Sequence, residues 1–397
     1  MRKLSLAVIG FFIGILNAHS QSNDSSYISR RLKIDEINFV TSYYHQDGDL
    51  SPVTGGIGTE KLSDYATTFE VKLTKQKKNL KHEINFELGV DHYTSASSDK
   101  IDPTTISSAS SADTRIYPSA SWTINNQKKN ETFGLYASYS HEFDYTSYGA
   151  GVSFTKNSAD NNREFTVKLQ GYLDNLKEIL PIEIRTMGSL GRGRWSYPTD
   201  PRNSISSSFT FSQVINKRLQ IALLMDIIYQ QGYLGTPFHR IYFKDGGESN
   251  EHLPSTRFKL PIGIRVNYFA GDKIIFRAYY RYYSDDWGLT AHTASLEMPV
   301  KINSFLSLVP FYRFYRQNGV KYFAPYMGHL STEQFYTTDD DLSPFNTNFE
   351  GIGIRYAPAG GVFKIKKLNM AELRYGHYQR TDGLHADEVT LHLKVKM

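Results

Sequence analysis

The chain of 397 residues contains no cysteine, only three tryptophans and, beyond its N-terminus, no long apolar run. The absence of cysteine excludes a disulfide framework, thiol catalysis and cysteine-bound metals. The absence of apolar runs, with a mean hydropathy of −0.44, excludes a helical membrane protein, which needs repeated stretches of about 20 apolar residues. A formal net charge of only +5 gives nucleic-acid binding no separate support.

The N-terminal segment is typical of a cleaved signal peptide. Arg2 and Lys3 precede the apolar residues 4–16, and the small residues Ala18 and Ser20 follow. A basic start, a short apolar region and small residues at the cleavage site predict export, with residues 1–20 removed and a mature domain of residues 21–397. The alternative is an anchoring helix, but the apolar stretch is too short to span a bilayer and polar residues follow it.

Most of the mature sequence alternates between apolar and polar residues. Ile84, Phe86, Leu88 and Val90, for example, alternate with glutamate, asparagine and glycine. Many such runs are long, whereas the strands of a soluble sandwich usually have about five or six residues. Segments of about ten residues with one apolar and one polar face are typical of membrane barrels. The sequence therefore predicts an all-β fold, a transmembrane antiparallel β-barrel.

Short turns and other connections alternate along the chain. Short polar turns are predicted at residues 75–79, 125–130, 157–162, 215–218, 270–273, 301–304 and 357–361. The remaining connections, several of them long, are predicted at residues 46–60, 94–114, 144–147, 174–203, 244–255, 284–288, 317–346 and 380–384. This interleaving predicts about 16 strands, within roughly 14 to 18, in one domain with both chain ends on one side. Outer-membrane barrels have this plan, with their short turns in the periplasm.

Aromatic residues gather near the predicted strand ends, and two interpretations stay open. The residues are Tyr43, Tyr44, Tyr93, Tyr117, Trp122, Tyr145, Tyr148, Tyr229, Tyr233, Tyr282, Tyr283 and Trp287. Amphipathic rings prefer the headgroup zone of a bilayer, so these residues are candidates for two aromatic girdles. Alternatively, they reflect the ordinary enrichment of tyrosine in strands.

Several stretches are similar to an outer-membrane family called domain of unknown function 3570. They are Ile106-Ser107-Ser108-Ala109-Ser110, Ser212-Gln213-Val214-Ile215-Asn216, Gln231-Gly232-Tyr233-Leu234, Leu253-Pro254 with Arg257, Tyr280-Arg281-Tyr282-Tyr283 with Asp286-Trp287, and Thr338-Asp339-Asp340-Asp341-Leu342-Ser343. The resemblance implies an outer-membrane β-barrel of a Gram-negative bacterium and brings no established activity or catalytic residue. Members resemble components encoded beside flavin-attachment and thioredoxin-like proteins, which implies a connection with an exported redox system.

Charged residues on the predicted inner face fall into two groups. Arginines dominate the later strands: Arg265, Arg277, Arg281, Arg313, Arg355 and Arg374. Acidic residues lie on the earlier strands: Glu70, Glu83, Glu87, Asp91 and Glu164. In a closed barrel the basic wall would face the acidic wall, and rings of charge set ion preference. The alternative is that arginine and glutamate simply pair to fill a polar interior.

The predicted connection 174–203 is rich in glycine and arginine, and Arg192, Arg194 and Trp195 are its candidate binding residues. Backbone amides and guanidinium groups in such a stretch can bind phosphate. The stretch does not, however, open a helix after a strand, as nucleotide-binding loops do. We expect that the loop folds into the lumen or contacts a partner, and phosphate recognition stays the alternative.

No metal site is assigned from the sequence. Asp339, Asp341, Ser343 and Glu350 have the first, third, fifth and twelfth positions of a calcium-binding loop. Pro344 stands where such a loop needs glycine. An Asx-type turn before a strand is therefore the better interpretation, with calcium binding as the alternative.

The histidines form no paired metal-binding or catalytic motif. His292 with Thr290 and Thr293, and His377 with Asp382, are the remaining candidates for a hydrolase at the barrel rim. Any single histidine is more often an ordinary polar residue. We therefore expect no enzymatic activity and no cofactor.

Two main hypotheses follow for a protein exported to the outer membrane. The first is porin-like passage of small polar solutes, preferentially anions, with the inward arginines as the selectivity lining. The alternative is a plugged barrel that houses or anchors an exported or periplasmic partner, a redox component among the choices, through its long loops. Outer-membrane lipids are expected partners in both cases, small solutes in the first, and nucleic acid in neither. Met397 stands where such barrels often end in an aromatic residue, so the sequence does not establish the usual assembly signal.

Overall fold

The computed structural model describes residues 32–94, 112–184 and 197–397, so the predicted signal peptide lies outside the described residues. In the described part the barrel wall has sixteen strands: β1 (Lys33–Asp47), β2 (Leu62–Lys77), β3 (Leu80–Thr94), β4 (Ala112–Asn126), β5 (Glu131–His141), β6 (Tyr145–Asn157), β7 (Arg163–Lys177), β8 (Thr199–Asn216), β9 (Leu219–Gly232), β10 (Thr256–Ala270), β11 (Ile274–Asp285), β12 (Thr290–Glu297 and Val300–Lys301), β13 (Leu306–Gln317), β14 (Phe345–Tyr356), β15 (Leu368–Arg380) and β16 (His385–Lys396). β12 is interrupted at Pro299, which cannot donate a ladder hydrogen bond. The predicted antiparallel β-barrel is confirmed.

Each strand pairs antiparallel with the next, and the last strand closes the barrel against the first. Glu36 of β1 faces Lys396 of β16, and at the other end of the seam Asp47 faces His385. Closure leaves no unpaired edge strand, which a sheet in hydrocarbon requires because no water is there to satisfy its backbone.

A contact between strands that are not neighbours distinguishes the two faces of the wall. Arg374 of β15 lies 2.5 Å from Glu297 of β12, across β13 and β14. Side chains three strands apart meet in this way only on the concave, inner face. At alternate positions of the same strands, Leu373 and Leu296 leave 52% and 42% of their surface exposed on the outer face. An apolar, exposed outer face is that of a wall in contact with lipid, which confirms the transmembrane barrel.

Helical structure among the described residues is limited to three short 3-10 turns, at Pro52–Thr54, Asp340–Leu342 and Val362–Lys364. No helix in residues 32–94, 112–184 and 197–397 is long and apolar enough to cross a membrane. A small hairpin, Arg240–Tyr242 with Glu248–Asn250, lies in the connection between β9 and β10.

One of the predicted short turns is longer than predicted. The turn predicted at residues 357–361 continues to residue 367, because the backbone folds back over the end of the wall. Val362 is buried there against Ile37, Leu368 and Val395. Burying a valine or leucine side chain contributes about 1.5–3 kcal/mol, which holds this connection in place.

Two connections at the other end also differ from their predicted bounds. β7 and β8 extend further than predicted, so the connection between them covers residues 178–198 rather than 174–203. β9 ends at Gly232, whose φ of 121° suits glycine, and the connection to β10 covers residues 233–255. The sequence predicts only its second half, since Ile241 and Phe243 in the first half have the apolar character of a strand.

Candidate functional site

Two connections from opposite sides of the barrel meet across one mouth, here called the outer mouth. Residues 48–61 follow β1 and residues 233–255 follow β9, and these strands are eight positions apart in a ring of sixteen. Nevertheless, Nη1 of Arg240 donates to the carbonyl oxygen of Val53 at 2.6 Å, and Nη2 binds Glu183 of the connection after β7 at 2.9 Å. The contact with Val53 therefore spans the mouth instead of following its rim.

A third connection, residues 318–344 between β13 and β14, packs onto the other two. Thr338 Oγ1 donates to the carbonyl oxygen of Arg240 at 3.1 Å. A Cβ atom added to Gly56 would lie only 3.2 Å from the carbonyl oxygen of Thr338. Thr337, Thr338 and Ser51 are buried at this junction. We call residues 48–61, 233–255 and 318–344 the cap, which covers part of the outer mouth.

The base of the cap is an apolar cluster around Trp287, which is buried with Leu253 and Val320. The indole Nε1 donates to the carbonyl oxygen of Thr256 at 2.9 Å, and the Arg257 guanidinium lies 4.2 Å from the ring centre. The prediction that Trp287 belongs to a headgroup girdle is wrong, because protein encloses the ring.

The other candidate girdle residues divide between the two faces. Exposed rings on the outer face, where a girdle needs them, are Tyr43, Trp122, Tyr148, Tyr229 and Tyr282. Tyrosines that instead donate to carboxylates on the inner side are Tyr93, Tyr117, Tyr145 and Tyr283. A girdle role stays a prediction for the first group only.

An acidic cluster lies at the edge of the cap beside one buried arginine. Arg380 binds Asp341 and Asp382, each at 2.5 Å. Burial raises the pKa of Asp340 to about 7, and burial together with the charge of Asp341 raises the pKa of Glu60 to about 8. Since these two carboxyls keep much of their protonation at neutral pH, the cluster carries less negative charge than its composition indicates.

His239, Glu251 and Asp339 form a compact group inside the cap. Nδ1 of His239 lies 3.9 Å from Glu251 Oε2 and 3.8 Å from Asp339 Oδ2, and both separations are too long for a hydrogen bond. Burial raises the pKa of Asp339 to about 7. Burial lowers the pKa of His239, but the two carboxylates raise it more. Asp339 lies on a different connection from His239 and Glu251 and the three form no motif, so sequence reasoning missed them.

The arginines predicted for the lumen lie on inner-face positions of their strands: Arg265 on β10, Arg277 and Arg281 on β11, Arg313 on β13, Arg355 on β14 and Arg374 on β15. Arg277 binds Glu297 at 2.7 Å, and Arg374 binds Glu297 and Glu372 at 2.5 and 2.7 Å. The other four form no ion pair with any carboxylate of the described residues. Their role in selectivity stays a prediction.

The acidic candidates Glu70, Glu83 and Glu87 lie on inner-face positions of β2 and β3. These strands are eight positions from β10 and β11, so the acidic residues lie opposite Arg265, Arg277 and Arg281, but not opposite the arginines of β13 to β15. Glu83 binds Lys72 and Lys81, however, and Glu70 accepts a hydrogen bond from Asn38 at 2.9 Å. The ion pairs formed by these residues join side chains on the same side of the barrel, and the ion pairs of Arg277 and Arg374 do the same.

A cavity of about 310 Å³ opens on the inner wall near the short-turn end of β11–β15. Its charged lining consists of the cationic Arg277, Lys301, Arg355 and Arg374 and the anionic Glu297 and Glu372. Four cationic against two anionic side chains leave this part of the lumen positively charged, which attracts small anions.

The alternative calcium loop does not form. Asp339 accepts a hydrogen bond from the backbone N–H of Asp341 at 2.9 Å and begins a 3-10 turn, as the Asx-turn interpretation predicts. Glu350, the proposed twelfth ligand, lies within β14, where it faces Tyr312 and His377. A strand therefore carries Glu350 away from the turn.

The two candidate hydrolase groups are not assembled either. His292 lies on the outer face beside Tyr280, whose hydroxyl is 2.7 Å from Nδ1, whereas its neighbour Thr293 points to the opposite face. His377 binds Asp387 at 2.8 Å, while Asp382 binds Arg380. Arg192, Arg194 and Trp195 lie outside the described residues.

Comparison with known proteins gives a family and a general likeness. Residues 90–386 match the family model described as "Protein of unknown function (DUF3570)". A bacterial polysaccharide outer membrane secretin is 10% identical with a TM-score of 0.45, covering 91% of this chain and 98% of that chain. A BenF-like porin from Pseudomonas fluorescens Pf-5 is 8% identical with a TM-score of 0.44, covering 91% and 98%. No curated protein matches the sequence.

A third solved structure, a mutant ferric enterobactin receptor from Pseudomonas aeruginosa, is 9% identical with a TM-score of 0.46. It covers 88% of this chain, whereas this chain covers 54% of the receptor. At such low identity and TM-score, these likenesses carry no information on solutes or partners.

Proposed function

Because the chain belongs to the family of unknown function DUF3570, which brings no activity with it, we propose a function from the geometry of the barrel itself. The protein is an outer-membrane barrel that passes small polar solutes, preferentially anions, through its lumen. The observation that carries this proposal is the cationic excess around the inner-wall cavity, where Arg355 and Lys301 form no ion pair with a described residue. An unpaired guanidinium is free to bind a passing carboxylate or phosphate group.

The cap supports the restriction to small solutes. Its Arg240–Val53 contact crosses the mouth, so a solute must pass between the crossing segments and the wall. A sixteen-stranded barrel without such segments leaves a wide aqueous channel. The cap therefore acts as the size filter, and the arginines below it act as the charge filter.

The test is single-channel conductance of the purified protein in a planar bilayer, with a salt gradient across the membrane. We expect steady conductance. The sign of the reversal potential should show that anions permeate more readily than cations. Arg281→Ser and Arg355→Ser should each reduce that preference, because each removes an unpaired inner-face cation. Arg316→Ser is the matched control, since Arg316 lies on the outer face of β13 opposite His292, and it should leave the reversal potential unchanged.

Two results would contradict the proposal. A folded wild-type barrel that never conducts overturns solute passage. An unchanged reversal potential in folded Arg281→Ser and Arg355→Ser variants removes both arginines from the selectivity lining.

Export completes the proposal, with residues 1–20 as a cleaved signal peptide. N-terminal sequencing of protein purified from the outer membrane should begin at Gln21. A chain that keeps residues 1–20 contradicts cleavage at this site.

The second candidate function is a plugged barrel that houses or anchors an exported partner, and the same cap contact favours it. If the cap closes the mouth completely, the wild type is silent in bilayers and its long connections serve as a contact surface. Chemical cross-linking in intact cells should then capture a periplasmic or exported protein, a redox component among the candidates, with the barrel. A conducting barrel that captures nothing contradicts this second candidate.

A further inference from the structure

We propose that the cap binds one divalent transition-metal ion through His239, Glu251 and Asp339. The ion would tie residues 233–255, which carry His239 and Glu251, to residues 318–344, which carry Asp339. The ligand set is one imidazole nitrogen and two carboxylate oxygens, donors that Zn²⁺ accepts in proteins. The proposal does not depend on solute passage, because its primary readout is metal binding by the folded chain.

The imidazole of His239 provides the first argument. The residue is 9% exposed, and its Nδ1 atom is buried without a hydrogen-bond partner. A buried polar atom without a partner costs about 1–3 kcal/mol, so native proteins rarely leave one without a function. The atom points into the space between two carboxylates, where a cation would satisfy all three groups.

The distances provide the second argument. The three ligand atoms all lie within 4.8 Å of one another, and Nδ1 is 3.8 and 3.9 Å from the two oxygens. Zinc bonds of about 2.0–2.2 Å in a tetrahedral site place neighbouring ligand atoms roughly 3.4 Å apart. The two separations from Nδ1 are too long for hydrogen bonds and need to close by only about 0.4–0.5 Å around an ion.

Surrounding hydrogen bonds hold the two carboxylates in position. Thr337, which is buried, donates its hydroxyl to Glu251 Oε1 and accepts from the backbone N–H of Asp339 at 3.0 Å. The backbone N–H of Thr236 donates to Glu251 Oε2 at 2.6 Å, and that of Asp341 donates to Asp339 Oδ1 at 2.9 Å. Such partners orient ligands in metal sites, and Thr337 contacts both the Glu251 carboxylate and the backbone of Asp339.

A second acidic group lies at the outer end of the barrel, and two of its three carboxylates already accept hydrogen bonds. Asp113, Glu142 and Asp144 also place three oxygens within 4.8 Å of one another. Asp113 accepts hydrogen bonds from backbone N–H groups at 2.6 and 3.2 Å, and Glu142 accepts from Tyr93 at 2.5 Å. No imidazole belongs to this group, so we assign it no metal.

The experiment is a calorimetric titration of the purified full-length protein, freed of metal by a chelator and dialysed, with zinc chloride alone. We expect one equivalent of Zn²⁺ to bind. His239→Gln and Asp339→Asn should each weaken binding by roughly 100-fold or more. His329→Gln is the matched control, because His329 is also a buried cap histidine but lies 2.6 Å from Glu333 through Nδ1 and 3.0 Å from the Thr337 carbonyl through Nε2. Binding should persist in this control.

Hydrogen exchange and X-ray absorption give readouts that survive if a variant folds poorly. Zn²⁺ should slow exchange in residues 233–255 and 318–344 of the wild type. The zinc absorption edge of the loaded wild type should show one imidazole among oxygen ligands. The absence of stoichiometric binding by the folded wild type, equal binding by His239→Gln, or an all-oxygen shell each overturns the proposal.

Discussion

The lipid-facing wall and the outer end of the barrel differ in where their charged side chains lie. In the middle of β7, apolar side chains such as Leu169 and Leu173 are exposed on the outer face, and the charged Lys168 lies on the inner face. At the outer end, Arg240, Glu251 and Arg380 are buried away from water and from lipid. A charge near the bilayer midplane is costly because hydrocarbon cannot solvate it, and the outward-facing Arg316 lies at the end of β13. The outer end depends on buried charges, which are costly once a partner is removed.

The largest effect is expected from a charge placed on the lipid face of the wall. Leu169 lies near the middle of β7 and is exposed on the outer face. Leu169→Arg should lower the free energy of unfolding by about 2–4 kcal/mol, because a guanidinium near the bilayer midplane loses its hydration. Equilibrium unfolding from lipid vesicles with guanidinium chloride measures the change.

The matched control is an arginine on the inner face at the same height. Ser208 pairs with Lys168 on one side and with Asp226 on the other, one residue away from the position that faces Leu169. Ser208→Arg should change the free energy of unfolding by less than about 1 kcal/mol, since the inner face is polar. Equal losses in the two variants would contradict the assignment of the faces.

The wall shows how much a local pattern can predict. Alternation along Ile84, Phe86 and Leu88 is read within one strand, and the period of two fixes which side chains point outward. The same period predicted that Arg281 and Arg355 lie on the inner face. It did not predict that Arg374 pairs with Glu297, because that contact crosses two intervening strands.

The cap shows why the rest of the site was not predictable. Arg240 and Val53 are 187 residues apart, and their contact involves a backbone carbonyl. A pattern of side chains in the sequence does not predict such a contact. The ligand atoms of His239 and Asp339 come together only because two connections pack across the mouth. The turn at residues 357–367 was predicted too short for the same reason, since Val362 packs on residues distant in sequence.

The second prediction concerns the contact that spans the mouth. Arg240→Met keeps much of the side-chain volume but removes the hydrogen bonds to Val53 and Glu183. Hydrogen bonds of a charged group contribute about 1.5–3 kcal/mol, so exchange of backbone amides in residues 48–61 and 233–255 should quicken by roughly 10- to 100-fold. Hydrogen–deuterium exchange with mass spectrometry measures this, and the wall strands should remain protected.

A control for Arg240 is available at the other end of the barrel. Arg218 is exposed in the short turn between β8 and β9. Arg218→Met should leave exchange in the cap unchanged. If Arg240→Met also leaves it unchanged, the cap is held by its other contacts and the contrast between cap and wall weakens.

The smallest effect is a pH dependence at the rim, in the tight connection between β5 and β6. Burial, with the charges of Glu142 and Asp113, raises the pKa of Asp144 to about 7, against the opposing effect of Lys177. Between about pH 4 and 7 the open form loses this proton while the closed form keeps it, so the closed form becomes less stable as pH rises. Asp144→Asn should remove that part of the dependence, measured as amide exchange at residues 142–145 after correction for intrinsic rates.

Asp160 is the control for this measurement, because its pKa is shifted in the opposite direction from that of Asp144. It lies in an exposed short turn, where hydrogen bonds from Ser158 and Asn162 lower its pKa to about 2. The stabilisation from a lowered carboxyl pKa is complete above its ordinary value and is lost only as pH falls toward 2, so Asp160→Asn should not alter the slope between pH 5 and 8. If the pH dependence of amide exchange persists in the Asp144→Asn variant, the titrating group is Glu142 or Asp113 instead. If the pH dependence disappears in Asp144→Asn and remains in Asp160→Asn, the titrating group is the buried carboxyl of Asp144.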